Sequence, residues 1–181
     1  MQSLTLRRTN LSIWTRVIGI ALFAVATAIS ARVTIPLAFS PVPLTLQVLV
    51  VLMAGLVLGP RDAFLSQVLY LQAILLGAPL TAYGLGGPAA FVAPTAGYLW
   101  AFPFAAATIG WFSVRATSLK AVWRTIGGIA AMAIIYSVGA LWLSTFVGGF
   151  KAALIAGVVP FLGVDGIKVV LATALVAARD R

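Results

Sequence analysis

The chain has 181 residues, 62% of them hydrophobic and only 8% charged, with a formal net charge of +9 and a mean hydropathy of +1.13. So few polar side chains cannot coat a water-soluble globule, so the composition assigns the chain to a bilayer. A nucleic-acid binder is disfavoured because its basic residues should form one face or stripe, whereas here they stand in small groups between long apolar runs.

A spanning helix needs about 20 apolar residues. The first candidate covers residues 11–31, close to Arg16 and Arg32. The following segment "TIPLAFSPVPLT" carries Pro36, Pro41 and Pro43, which cannot begin a helix, and reads as a loop. Helix two is expected over 44–58, closed by "GPRD", in which Gly59 and Pro60 break the helix and Arg61 and Asp62 seek water. The next uncharged run is too long for one span, and "GAPLTAYGLGGPAAFVAPTAG" divides it into helix three at 61–76 and helix four at 96–113. Helices five and six follow at 123–146 and 160–178, with "GGFKAALIAGVV" between them as a short interfacial or re-entrant helix. The expected fold is therefore all-α, a polytopic membrane protein with six transmembrane helices. Arg7-Arg8 before an Ala-containing apolar stretch resembles an export signal, but Thr9 and Asn10 follow the pair where a signal would turn apolar.

Counting cations sets the orientation. With the N-terminus cytoplasmic, the inner side receives Arg7, Arg8, Arg16, Arg61, Arg115, Lys120, Arg124, Arg179 and Arg181, leaving Arg32, Lys151 and Lys168 outside. That bias is the positive-inside pattern, and it puts both termini in the cytoplasm. The loops at 32–43 and 77–95 then face outward. Because they are rich in Gly, Pro, Thr and aromatics yet nearly free of charge, they read as a lid over a pocket rather than as solvated connectors.

Two ionisable residues stand near the outer end of helix six, Asp165 and Lys168, three apart and thus on one helical face. In one reading Asp165 caps the helix and Lys168 snorkels to the interface. The other makes both ligand contacts, since a cation in the first turn opposes the helix dipole and ionisable groups in spans usually face an interior site. One carboxylate and one ammonium suit a small ligand with N–H donors and carbonyl or carboxylate oxygens. Gln47, Tyr83, Thr95 and Tyr98 are candidates to complete the site, although Gln47 also suits a backbone partner and the tyrosines an aromatic belt. In helix one, Ala24 and Ala28 form a smooth stripe suited to close helix packing, internal or with a partner.

Four stretches in order along the chain, "TIPLAFSPVPLTLQ", "GLVLGPRDA", "APTAGYLWAFP" and "PFLGVDGIKVVLA", resemble the BioY family, the biotin-binding S components of energy-coupling factor transporters. The resemblance covers most of the chain. It implies one integral membrane substrate-binding domain over 1–181 that captures biotin on the outer face of a prokaryotic cytoplasmic membrane, beneath loops 32–43 and 77–95. It also implies a transmembrane coupling protein and ATPase subunits as partners. By the same resemblance, Asp165 and Lys168 contribute to biotin recognition and Ala24 and Ala28 dock the coupling protein. Ala93 and Ala96 depart from the family pattern, which often has glycine at both places.

An enzyme is disfavoured: the chain has no histidine or cysteine for a nucleophile–base pair or metal set, and no cofactor is implied. A self-sufficient secondary transporter, with Asp165 carrying a coupling proton, is the alternative, although no inverted repeat is evident. A purely structural subunit would explain the alanine stripe but not the ion pair. No phosphate-binding Gly-x-x-x-x-Gly-Lys-Ser/Thr motif is present, so ATP dependence would come from a partner.

Overall fold

A computed structural model describes residues 12–179. The Arg7-Arg8 pair, and with it the question of an export signal, lies outside the described residues. Seven helices occur among the described residues: α1 Ile13–Ser30, α2 Gln47–Leu58, α3 Pro60–Leu75, α4 Ala96–Arg115, α5 Lys120–Leu143, the short α6 Phe150–Gly157, and α7 Leu162–Arg179. Each expected helix is present, with ends displaced by a few residues. The short helix expected between helices five and six is α6.

The proline-rich segment is not a loop. It forms an antiparallel hairpin of β1 (Thr34–Leu37) and β2 (Ser40–Thr45), so the fold is mostly helical rather than all-α. Prolines forbid a helix but fit an extended strand with free edges, and a two-stranded ribbon consists only of edges. Thr34 pairs with Thr45 and Ile35 with Leu44, and the register breaks between Ile35 and Leu37, where Pro36 has no N–H to contribute.

Among the described residues three stretches are long and apolar enough to cross a membrane: Ile13–Ser30, Lys120–Leu143 and Phe150–Arg179. α2 has 12 residues and α3 has 16, giving lengths of about 18 and 24 Å against a hydrocarbon core of about 30 Å. β2 leads into α2 across Leu46 alone, so extended backbone continues directly from the start of that short helix. Such backbone is tolerated at depth only where protein or a cavity covers it, and Ser40, Val42 and Pro43 of β2 are accordingly buried.

Polarity is inverted relative to a soluble protein. α1 exposes Ile13, Trp14, Val17, Ile18, Leu22, Val25 and Ile29, while Thr27, Gln47, Ser66, Gln67 and Tyr70 are buried. Apolar surroundings give no association force between apolar helices, so packing rests on close approach and internal hydrogen bonds. The first stitch is a bidentate ion pair, Arg16 of α1 to Asp62 of α3 at 2.6 and 2.8 Å. Asp62 therefore does not seek water as expected; α3 begins at Pro60 and the carboxylate turns inward to the guanidinium. Further along, Gln67 Nε2 donates to Thr27 Oγ1 at 3.2 Å, and Arg32 donates to the Pro79 carbonyl.

α4 is the central element, packed on α5, α2 and α3. Its Gly110 lies under the α2–α3 turn, where a Cβ would meet Gly59 C and Pro60 N at 2.8 Å and Gly55 O at 2.9 Å. These are backbone atoms and cannot yield cheaply. Gly110→Val is therefore expected to destabilise the protein by at least the ~1–3 kcal/mol of an overpacked core, measured as a lowered unfolding midpoint in a fixed detergent.

Candidate functional site

The first turns of α7 put Asp165 and Lys168 on one face, and the fold turns that face inward. Asp165 is 4% exposed and Lys168 5%. Lys168 Nζ donates to Asp165 Oδ1 at 2.6 Å and to the Thr45 carbonyl of β2 at 2.7 Å. Tyr136 of α5 donates its hydroxyl to Asp165 Oδ2 at 2.8 Å. Asp165 thus spends its oxygens on side-chain donors instead of the helix end, and Lys168 does not snorkel. The pair keeps capacity in reserve: an ammonium has three donors, two of them used here, and each carboxylate oxygen has two lone pairs.

Both groups line a cleft beneath the hairpin and the 77–95 segment, with Val42, Pro43 and Thr45 from β2 and Thr81 and Ala82 from the loop among its walls. Its body is apolar and aromatic, formed by Val48, Leu99, Phe102, Ile135 and Phe161.

Gln47, at the start of α2, lines the cleft and is 4% exposed. Its amide Nε2 donates to Tyr70 Oη at 2.8 Å, and Tyr70 donates in turn to the Leu80 carbonyl at 3.1 Å. Thr95 and Tyr98 line the cleft from the start of α4. Tyr98 donates to the Gly157 carbonyl at 2.9 Å, and its ring lies so close to Gly139 and Gly157 that a Cβ at either would collide with it. Tyr83 stands apart: it is half exposed, lies outside the cleft lining, and donates to the Pro41 carbonyl at 3.2 Å, tying the 77–95 loop to the hairpin.

Ala24 and Ala28 lie on a separate groove between α1 and α3, beside Ala21 and Ala73, which shares no lining residue with the cleft. Ala24 is buried and Ala28 half buried.

Sequence reasoning missed Tyr136 and Thr45. Tyr136 carried a signal, being a phenol well inside an apolar helix rather than at the end where an aromatic belt would put it. Thr45 acts through its backbone carbonyl, which no side-chain pattern reveals.

A sequence profile described as the BioY family matches residues 3–181. The chain is 40% identical over 160 residues to the "Probable biotin transporter BioY" of Pyrococcus horikoshii, covering 88% of this chain and 91% of the relative. It is 35% identical over 164 residues to the "Biotin transporter BioY" of Thermotoga maritima, covering 91% and 94%. Among solved structures it is similar to the S-component for biotin from an ECF-type ABC transporter, with a TM-score of 0.83, 30% identity, and coverage of 94% of this chain and 95% of that one.

The buried pair makes a prediction about stability alone. Lys168→Met strands Asp165 with Tyr136 as its remaining side-chain donor, and breaking a buried pair from one side costs about 3–5 kcal/mol. The double variant Asp165→Leu/Lys168→Met should be the more stable of the two, because it leaves no lone charge. Denaturant or thermal unfolding of wild type, single and double variants in one detergent measures the difference.

Proposed function

The chain belongs to the BioY family, and from that premise we propose that it is a biotin-binding S component, capturing biotin in the cleft for import driven by a separate coupling protein and ATPase subunits. The observation that carries this reading is the buried Asp165–Lys168 pair at the wall of an otherwise apolar, aromatic cleft. Biotin offers ureido N–H donors and a carbonyl, an apolar thioether ring, and a carboxylate at the end of a valerate tail. Asp165 accepts from ligand N–H groups, the spare donor of Lys168 serves a carbonyl or carboxylate, and Gln47, Thr95 and Tyr98 complete the enclosure. Tyr83 contributes by holding the 77–95 loop against the hairpin.

The protein works as one multi-pass domain of the cell membrane. Its six spans leave both termini cytoplasmic and the hairpin and 77–95 loop outside; the basic residues favour that orientation. Its action is binding, not catalysis. Ala24 and Ala28 dock the coupling protein, a role supported by their lying on a small-residue groove that shares no residue with the cleft.

Purified protein should bind biotin saturably at about one molecule per chain and ignore thiamine and riboflavin, as measured by equilibrium binding in detergent. Asp165→Asn should weaken binding about ten- to hundredfold, the worth of a charge-assisted hydrogen bond of about 1.5–3 kcal/mol. Unchanged affinity in that variant would remove Asp165 from the site, and absence of saturable binding by folded wild type would overturn the proposed function.

A second expectation separates docking from capture. Ala24→Leu/Ala28→Leu should abolish biotin uptake in cells containing the coupling machinery while biotin affinity of the purified variant stays within about twofold. Joint loss of binding and uptake would make the stripe internal packing.

A further inference from the structure

We infer that Tyr70, which does not line the cleft, is a positioning residue that fixes Gln47 as a hydrogen-bond acceptor toward the ligand and so makes the site select for a ring N–H. The inference rests on the biotin-binding reading above.

The orientation follows from counting protons. The Leu80 carbonyl can only accept, so at 3.1 Å the single hydroxyl proton of Tyr70 is committed to it. Tyr70 Oη can then only accept from its other neighbour, and the atom of Gln47 that lies 2.8 Å from it must be the amide nitrogen. This fixes which way the amide is turned from the chemistry of its partners, without reference to how oxygen and nitrogen are assigned. Tyr70 is 1% exposed and lies behind the cleft wall, whereas Gln47 is a wall residue. The nitrogen being used on the far side, Gln47 presents its Oε1 to the cleft. Among the described residues no group donates to Oε1, yet it is not among their fully enclosed unpartnered side-chain atoms, of which Thr173 Oγ1 is the sole example, so Oε1 stays open to a donor entering the cleft.

The anchor of this relay is well built. The loop that carries Leu80 is pinned to the end of α3 by Ala78 N to Ala73 O at 3.1 Å and Gly87 N to Ile74 O at 2.7 Å. It is closed on itself by Leu85 N to Thr81 Oγ1 at 2.7 Å. At the other end, Gln47 N donates to Thr45 Oγ1 at 3.3 Å, so the start of α2 is held as well. A turned amide would set an N–H against the protein's own cleft and a carbonyl oxygen against the oxygen of Tyr70, an arrangement disfavoured twice over.

The cleft therefore offers two acceptors, Asp165 and Gln47 Oε1, and one cation. A ligand with ring N–H groups satisfies both acceptors; one with an ether oxygen in place of an N–H sets lone pair against lone pair.

The test compares biotin with its two cyclic carbamate analogues, in which one or the other ring N–H is replaced by O. Wild-type protein should bind at least one analogue tenfold or more weakly than biotin, from a lost hydrogen bond and an added repulsion. In Tyr70→Phe the amide loses the partner that orients it and can turn its NH₂ to the ring oxygen, so that ratio should shrink to about threefold or less. A purely structural role for Tyr70 would weaken all three ligands alike and leave the ratio intact, which overturns the inference. Gln47→Leu provides the second variant, because it removes the acceptor whether or not Tyr70→Phe folds. Folded Gln47→Leu should bind biotin more weakly and show the same ratio of about threefold or less, and a ratio kept at tenfold or more would mean that Gln47 does not select the ring N–H. If wild type binds biotin but rejects neither carbamate, the inference fails while the biotin reading stands; if wild type does not bind biotin at all, the reading itself fails.

Discussion

The ammonium of Lys168 is the junction on which the site depends. It joins α7 to itself through Asp165 and to the hairpin through the Thr45 carbonyl, and Asp165 carries the connection to α5 through Tyr136. From Thr45 the polar chain continues through Gln47 and Tyr70 to the Leu80 carbonyl of the 77–95 loop. These hydrogen bonds, joined through the covalent frames of Thr45 and Gln47, thus touch α5, α7, β2, α2, α3 and the loop. In low-dielectric surroundings such polar contacts are strong when made and costly when broken.

The rest of the fold serves that arrangement. Apolar surroundings cannot drive apolar helices together, so the elements around the cleft are set by polar stitches and close backbone approach. α1 and the turn that follows it show the first, with Arg16–Asp62, Thr27–Gln67 and Arg32–Pro79 in succession. α4 shows the second: Gly110 admits the α2–α3 turn, and Gly139 and Gly157 give Tyr98 its place. Pro103 lies buried inside α4, where its missing N–H is tolerated because neighbouring elements cover the helix.

The division of surfaces is equally physical. The cleft joins residues far apart in sequence under segments that are not α-helical, whereas the Ala24–Ala28 groove sits on α1 and α3. A molecule that binds a small ligand and also docks on a larger partner gains from keeping these apart, because a bulky change on one surface then leaves the other intact. Tyr70 is the exception: it touches the groove and supports Gln47 in the cleft wall.

By itself the sequence determined the apolar environment, the helices and their approximate limits, and singled out Asp165 and Lys168 as charges on an apolar segment. These are local properties: apolar run length, prolines and glycines that end helices, and charges conspicuous in a chain with three acidic residues. Gln47, Thr95 and Tyr98 were also legible, as polar or aromatic groups flanking the outer segments, and the structure brings them to the cleft. Only tertiary structure decided the remainder. The proline segment became a hairpin because two edge strands suit residues that can neither enter a helix nor donate to a ladder; Asp62 turned inward because Arg16, 46 residues away, meets it. Tyr83 was drawn to Pro41 rather than to the cleft by the fold of its loop. Thr45 and Leu80 act through carbonyls, and Tyr70 through the direction of one proton. Every residue type has a carbonyl, and a proton's direction depends on which acceptor the fold sets beside it, so neither leaves a mark in the order of amino acids.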